Sequence, residues 1–439
     1  MNMIDNIFSI NNKGRHKIVT FFGIKIKTIS AEPYISSQNN YVRKVKELKE
    51  KIKTTKLNVI FLSNEVSKWS YDSLYRKFAD SEYFYPLIVV YPLSRLQKNE
   101  IDTSLKEHYN FYANKGYNVK YGYSNNESIP IKFFNPDIVF YPQPNYEITE
   151  ENHPYNVSET ALTMYCPYGI QTFEYKNNYL QKFHKFLFTY FCENELNIKR
   201  YESYKKDNSK NCVSVGYPKM DEFLENHVIN YSKYWKNPDK FKIIYAPHHS
   251  FGKDATTNIG TFLENGKYIL NLAKKYSDIT TWIFKPHPRL KYTLKQSKLM
   301  SEAEIEEYWK EWEEIGNIYE LGDYIDIFKS SDLMITDCAS FLSEYLPTGK
   351  PLIRCVNKNQ IKMNKFGEKI ISEYYISHNN KELKKFFEDI VVNKNDYKKV
   401  RRTELIKEII DINQSSAEKI YNYILKILNE SENNEKIIE

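Results

Sequence analysis

From Leu57 onward, short apolar runs alternate with longer polar, amphipathic stretches. "LNVIFLS" (Leu57–Ser63), "PLIVVY", "YNVKYGY", "PDIVFY", "ALTMYC" and "CVSVGY" follow one another down to Tyr217, each short enough for a strand. A second series starts with "KIIYAP" at Lys242. It continues through "TWIFKP" (Thr281–Pro286), "NIYEL", "DLMITDC" and "KPLIRC". Between these lie runs with helical spacing: "FLENGKYILNLAKKY", "EAEIEEYWKEWEEI", "YIDIFKSS" and "SFLSEYL". Continuous apolar strands separated by helices predict parallel sheets covered on both faces.

The two series meet near Gly216-Tyr217-Pro218 and the polar "NYSKYWKNPDKF". They predict two doubly wound α/β domains, the first over 55–225 and the second over 226–400. Residues 401–439 read as packed or trailing helices with a frayed, charged tail. Residues 1–54 read as a hairpin and linker: "FSINNKGRHKIVTFFGIKIKTIS" alternates apolar and basic positions, with Gly23 near the predicted turn. This basic, aromatic element is either a surface hairpin or a docking element for a membrane or partner.

Composition narrows the function classes. A chain of 439 residues, 41% hydrophobic, can build such cores. Its net charge of +7 suits anionic partners, but the basic residues are dispersed, and no nucleic-acid module is recognisable. The five cysteines (166, 192, 212, 338 and 355) have no metal or CxxC spacing, which points to a reduced, cytoplasmic protein. The first thirty residues lack an uninterrupted apolar core, so no signal peptide is expected. No apolar run approaches the roughly 20 residues that span a bilayer. Any membrane contact is therefore expected to be peripheral.

Ligands of doubly wound sheets bind beyond the carboxyl ends of the strands. Three such ends in the second series carry polar groups: "YAPHHSF" with His248 and His249, "FKPHPRL" with Lys285, His287 and Arg289, and "ITDCASF" with Thr336, Asp337 and Ser340. Pro286 and Pro288 restrict the backbone around His287. A fixed imidazole among cations suits a phosphate oxygen. Ser340 is placed to cap the helix that follows Asp337, whose free N–H groups favour an anion. Adjacent residues leaving a strand point opposite ways, so at most one of His248 and His249 is expected to face the ligand. Asp323, Asp326 and Asp337 have no convincing ligand spacing, so neither a metal nor a cofactor is assigned.

"FKPHPRL", followed about fifty residues later by "SDLMITDCASFLSEYLPTGKPLI", resembles the CDP-glycerol glycerophosphotransferase family, the teichoic-acid primases and polymerases. "GYPKMD" (Gly216–Asp221) is similar to that family's interdomain motif, and "YAPHHSF" occupies the place of its next strand end. The resemblance covers about residues 130–360 and is strongest over 212–355. It implies a GT-B architecture with a nucleotide-linked donor held mainly by the second domain. It also implies transfer of a polyol phosphate to a hydroxyl. By position, His287 matches the family's C-domain catalytic histidine, and Thr336, Asp337 and Ser340 its donor-phosphate loop. Glu344, one turn after Ser340, is placed to reach a ribose hydroxyl. Two features depart from the family. Cys338 and Ala339 replace two residues of its Thr-Asp-Tyr-Ser-Ser loop. The region matching its N-domain histidine motif, "ALTMYCPYGIQ", has no histidine. His153, His248 and His249 are the candidate replacements for that base.

The expected function is therefore transfer of glycerol phosphate, or a related polyol phosphate, from a CDP-linked donor. The acceptor would be a capsule, teichoic-acid or lipid-linked glycan hydroxyl on the cytoplasmic face of the cell membrane. The alternatives are a GT-B glycosyltransferase using a nucleotide sugar, and a non-catalytic nucleotide- or glycan-binding protein.

Overall fold

The computed structural model describes residues 8–13, 16–21, 24–29, 32–93, 96, 98–144, 149–175, 182–204, 210–251, 257–320, 322–410 and 414–429. Three antiparallel strands come first, β1 (Phe8–Lys13), β2 (His16–Phe21) and β3 (Ile24–Ile29). The expected hairpin is thus a three-stranded meander. Residues 14 and 15 and Gly23, which lie between its strands, are outside the described residues.

The first large sheet contains β4 (Leu57–Ser63), β5 (Phe84–Val90) and β6 (Val119–Tyr121). After a small antiparallel pair, β7 (Tyr123–Ser124) and β8 (Glu127–Ser128), it resumes with β9 (Ile138–Tyr141), β10 (Leu162–Tyr165), β11 (Thr189–Cys192) and β12 (Cys212–Ser214). Its order is β12-β11-β10-β9-β4-β5-β6, all parallel. The second contains β13 (Phe241–Ala246), β14 (Thr280–Phe284), β15 (Gly316–Ile318), β16 (Leu333–Thr336), β17 (Leu352–Cys355) and β18 (Tyr375–Ser377). Its order is β15-β14-β13-β16-β17-β18, also parallel. In both sheets the chain winds outward one way from a central strand, then returns beside that strand and winds the other way. This is the doubly wound topology, with switch points at β4/β9 and β13/β16.

Each sheet has an apolar cluster on both faces, as the unbroken strand hydrophobicity requires. The helix Glu302–Ile315 has the predicted bounds. Ser301 and Glu304 form its capping box, and Ile305, Tyr308, Trp309 and Trp312 are buried. Two strands escaped the pattern. β11 lies in the apolar run "LFTYFC" and β18 has only three residues, too few to show a period. All five cysteines are free. No helix among the described residues is long and apolar enough to cross a membrane.

Two of the junctions between the halves bear on the site. Asn364 donates from its backbone to Thr172 O (3.0 Å) and from its side chain to Gln171 O (2.7 Å), and Thr172 Oγ1 donates to Ala339 O. The second junction is the last helix, Ser416–Asn429, which does not trail. It returns to the first sheet and buries Ala417, Ile420, Ile424, Ile427 and Leu428 in that core. "GYPKMD" explains the return. Gly216 has φ +94° and approaches Ser416 so closely that a Cβ there would lie 2.5 Å from its Oγ. Buried Asp221 accepts from the backbone N–H of Ser416 (2.8 Å) and Ala417 (2.9 Å) and from Ser73 Oγ (3.0 Å). A carboxylate distant in sequence thus caps the helix N-terminus. Asp221→Ala should cost about 1.5–3 kcal/mol. Amide protection should fall in Ser416–Asn429 and the first sheet while the second sheet keeps its own; equal loss in both halves would contradict this assignment.

Candidate active site

The three polar strand ends of the second sheet converge. β13 ends at Ala246, Pro247 breaks the strand, and His248 and His249 follow. β14 ends at Phe284, and the His287 backbone N–H donates to Pro247 O (3.0 Å). The His248 and His249 ring centroids lie 4.8 and 4.2 Å from that of His287 and 4.6 Å from each other. Both members of the pair therefore flank His287. The period-two alternation behind the expectation of a single facing histidine ends at Pro247, one residue too early to apply.

Hydrogen bonds to Nδ1 decide what these rings offer. The Ser250 N–H donates to His248 Nδ1 (3.1 Å), and the Arg289 N–H donates to His287 Nδ1 (3.1 Å). A nitrogen accepting an amide hydrogen is bare, so in the neutral ring the proton sits on Nε2. His248 and His287 therefore present N–H donors. His249 Nδ1 lies 3.5 Å from Thr293 Oγ1. One nitrogen from each ring falls within 4.8 Å of the other two, a spacing that also suits a metal ion. A metal, however, needs a bare nitrogen, and two of the three rings offer N–H instead. The set suits an anion better.

Its electrostatics agree. Burial, then the neighbouring imidazoles and Arg289, hold His248 down to about 2. Burial and His249 hold His287 to about 3, and burial and Arg289 hold His249 to about 4. All three are neutral donors at pH 7. Beside them Lys285 is buried, and burial with the nearby Lys219 ammonium lowers it to about 8. Its Nζ lies over Tyr319 (5.3 Å), Tyr324 (5.1 Å) and Phe341 (5.9 Å). Lys219, the lysine of "GYPKMD", donates to Tyr324 OH (2.6 Å). Arg289 is exposed at the rim.

Several predicted roles change. Thr336 is buried. Its hydroxyl donates to Ala246 O (2.6 Å) and accepts from Cys338 N (2.9 Å), so it clips β16 to β13. Asp337 is buried and accepts from His248 N (2.6 Å), Thr261 N (2.6 Å) and Thr261 Oγ1 (2.8 Å). It positions the His248 backbone. Burial raises it to about 6 against those bonds. Ser340 is not the cap. Cys338 holds the N-cap position, Ser340 is the second residue of the helix Ala339–Glu344, and six residues make a weak dipole. Glu344 does not stand at an open strand edge. It is buried, bonded to Tyr324, with Lys219 and Lys285 beside it. His153 caps the short helix Pro154–Val157 and packs on Tyr155, Phe183 and Phe186, all in the first half.

Sequence reasoning missed Lys219, Tyr319 and Tyr324. Only the motif containing Lys219 pointed to it. It also missed Glu65, just past β4, whose charge acts on His287 from across the junction of the two halves.

Sequence comparison matches residues 187–426, more than half of the chain, to CDP-Glycerol:Poly(glycerophosphate) glycerophosphotransferase. The chain belongs to this glycerophosphotransferase family. It is a transferase, and the family reaction moves glycerol phosphate from CDP-glycerol. Among solved structures it is similar to S. aureus MnaA in complex with UDP (15% identity, 85% of this chain and 97% of that one, TM-score 0.58). It is similar also to the wall teichoic acid polymerase TagF soaked with CDPG (14% identity, 91% and 98%, TM-score 0.53). At such identities these likenesses establish the shared two-sheet GT-B fold. No curated protein matches the chain.

For this glycerophosphotransferase, the depressed histidines make stability pH-dependent. Unfolded imidazoles titrate near 6.5, whereas folded His248 and His287 take protons only near about 2 and about 3. Below pH 6.5 the unfolded chain binds more protons, so stability is full above that pH and falls beneath it. The slope reaches about 1.4 kcal/mol per pH unit for each imidazole. Denaturant midpoints from pH 8 to 5 should show this loss, and a His248→Asn/His287→Asn variant should flatten it. An unchanged slope in the variant would contradict the burial.

Proposed function

We propose that the three-imidazole cluster binds the diphosphate of a CDP-linked glycerol donor, and that transfer to a hydroxyl occurs beside it. The observation that carries this reading is the pair of fixed Nε2–H donors, His248 and His287, beside Lys285, Lys219 and Arg289. In the reaction an acceptor oxygen attacks the glycerol-bearing phosphorus in line and CMP departs. Charge grows on the bridging and equatorial oxygens, where preorganised donors help most. The donor phosphates bring negative charge to rings held neutral chiefly by burial, which strengthens the hydrogen bonds.

In this reading the second domain (226–400) holds the donor, and the first (55–225), rejoined by the last helix, holds the acceptor. Asp337 and Thr336 are positioning residues. Glu344 balances Lys219 and Lys285 in the empty site, and Ser340 remains the helix residue able to reach a phosphate. The acceptor is a hydroxyl of a teichoic-acid, capsule or lipid-linked glycan. A lipid-linked acceptor would bring the protein to the cytoplasmic face of the membrane from the side.

His287→Ala should lower turnover roughly 10²–10³-fold, with the fold intact by circular dichroism. Radiolabelled CDP-glycerol should yield CMP. Near wild-type turnover in a folded variant would sink the role of His287. Release of CDP or UDP from a sugar donor instead of CMP would favour glycosyl transfer.

A further inference from the structure

The first sheet has a switch point of its own, and a cavity of about 230 Å³ opens at the carboxyl ends of β4, β5 and β9. Its walls include Ser63, Asn64, Tyr91, Tyr123, Pro142 and Thr149. None of its described lining residues carries a charge. Asn64 is 4% exposed, yet its Oδ1 finds no hydrogen-bond partner among the described residues, and neither does Thr149 Oγ1. A buried acceptor left unpaired costs about 1–3 kcal/mol, so such atoms mark where a ligand donor fits. Uncharged walls among the described residues, two tyrosines and orphaned acceptors suit a neutral hydroxyl-bearing group, a sugar or polyol.

Glu65 follows Asn64 directly. Lys68 Nζ contacts its Oε2 at 3.0 Å and also donates to Gln143, at the end of β9. The carboxylate is thereby held at the switch point, within electrostatic reach of His287. His248, His287 and His153 are poorly suited to take a proton. Nε2 of His248 and His287 already carries one, Nδ1 of each is engaged by a backbone amide, and His153 packs elsewhere. A carboxylate suffices in phosphoryl transfer, where the hydroxyl proton leaves late and the base chiefly orients the nucleophile.

We propose that this pocket receives the hydroxyl end of an uncharged sugar or polyol acceptor, and that Glu65 takes its proton. The acceptor oxygen forms a bond to the glycerol-bearing phosphorus, and the bridging P–O bond breaks. Its electron pair leaves with CMP, and the hydroxyl proton passes to Glu65 and then to water. The inference rests on the donor reading above.

The test uses the full chain with CDP-glycerol as donor and excess glycerol as acceptor probe, reading CMP release. Glu65→Gln should lower kcat about 10²–10³-fold, keep the donor Kd within about twofold by calorimetry, and remove the acid limb of the pH–rate profile. Glu65→Asp should restore part of the rate, which a merely structural role would not require. A Glu65→Gln rate within about threefold of wild type overturns the proposal, as does a collapse confined to His249→Asn or to His108→Ala, the first-half histidine nearest in charge to Glu65. Wild-type protein that fails to bind CDP-glycerol overturns the donor reading and this inference with it. Normal donor binding with an insensitive Glu65→Gln rate overturns the role of Glu65 alone.

Discussion

The buried carboxylate of Asp337 is the constraint on which the site depends. It stands just past β16 and accepts three hydrogen bonds from the segment that follows β13, one from the His248 amide and two from Thr261. Those two strands are the switch-point neighbours of the second sheet. Thr336 makes the reciprocal link to Ala246. The β13 loop is therefore pinned to β16 on one side. On the other, the His287 amide pins the β14 loop to Pro247. These bonds tie the described ends of the three loops together, and the imidazoles converge there. Burial raises Asp337 even with three donors, a sign that the protein bears a desolvation cost to keep this bracket.

Much of this was legible in the chain. Unbroken apolar strands imply two-sided burial, and helices between them imply parallel order, so both doubly wound sheets follow from patterning. The strand ends with histidine also followed. What patterning could not carry was the direction of side chains once the strand ends. Thr336 and Asp337 are polar residues at a strand end, which is where ligand groups belong. The same chemistry serves equally to tie loops together, and the choice depends on which partner reaches the group first. Three amides and hydroxyls from Thr261 and His248 reached Asp337, and sequence separation of 76 and 89 residues hides that meeting. The fate of "GYPKMD" is similar. Its Gly216 and Asp221 serve the return of the last helix to the first sheet, a contact made across almost two hundred residues.

Under the proposed donor reading, the arrangement resolves a conflict that any diphosphate site must face. Cations are needed to hold the ligand, yet cations packed together in an empty site repel one another. This chain keeps three of its donors neutral. Imidazoles held low by burial and by each other add no charge to a cleft that already contains Lys219, Lys285 and Arg289. Glu344 and the aromatic rings around Lys285 offset the two buried ammoniums until a ligand arrives.

The same tautomer that makes His248 and His287 good donors unfits them for proton abstraction, and the proposed reading divides donor binding and nucleophile activation between the sheets. That division matches the topology. Each sheet has one switch point, and the two lie within electrostatic reach of one another. On the second the groups present N–H and positive charge, matched to phosphate oxygens. On the first, in the proposed reading, they present acceptors matched to hydroxyl hydrogens: the unpartnered Asn64 carbonyl and the Glu65 carboxylate held by Lys68. Complementary polarity of this kind orders the reactants before chemistry begins. An anion placed on the first site would meet a carboxylate, and a neutral polyol on the second would leave the cationic groups uncompensated, so each reactant is directed to the side where it can react.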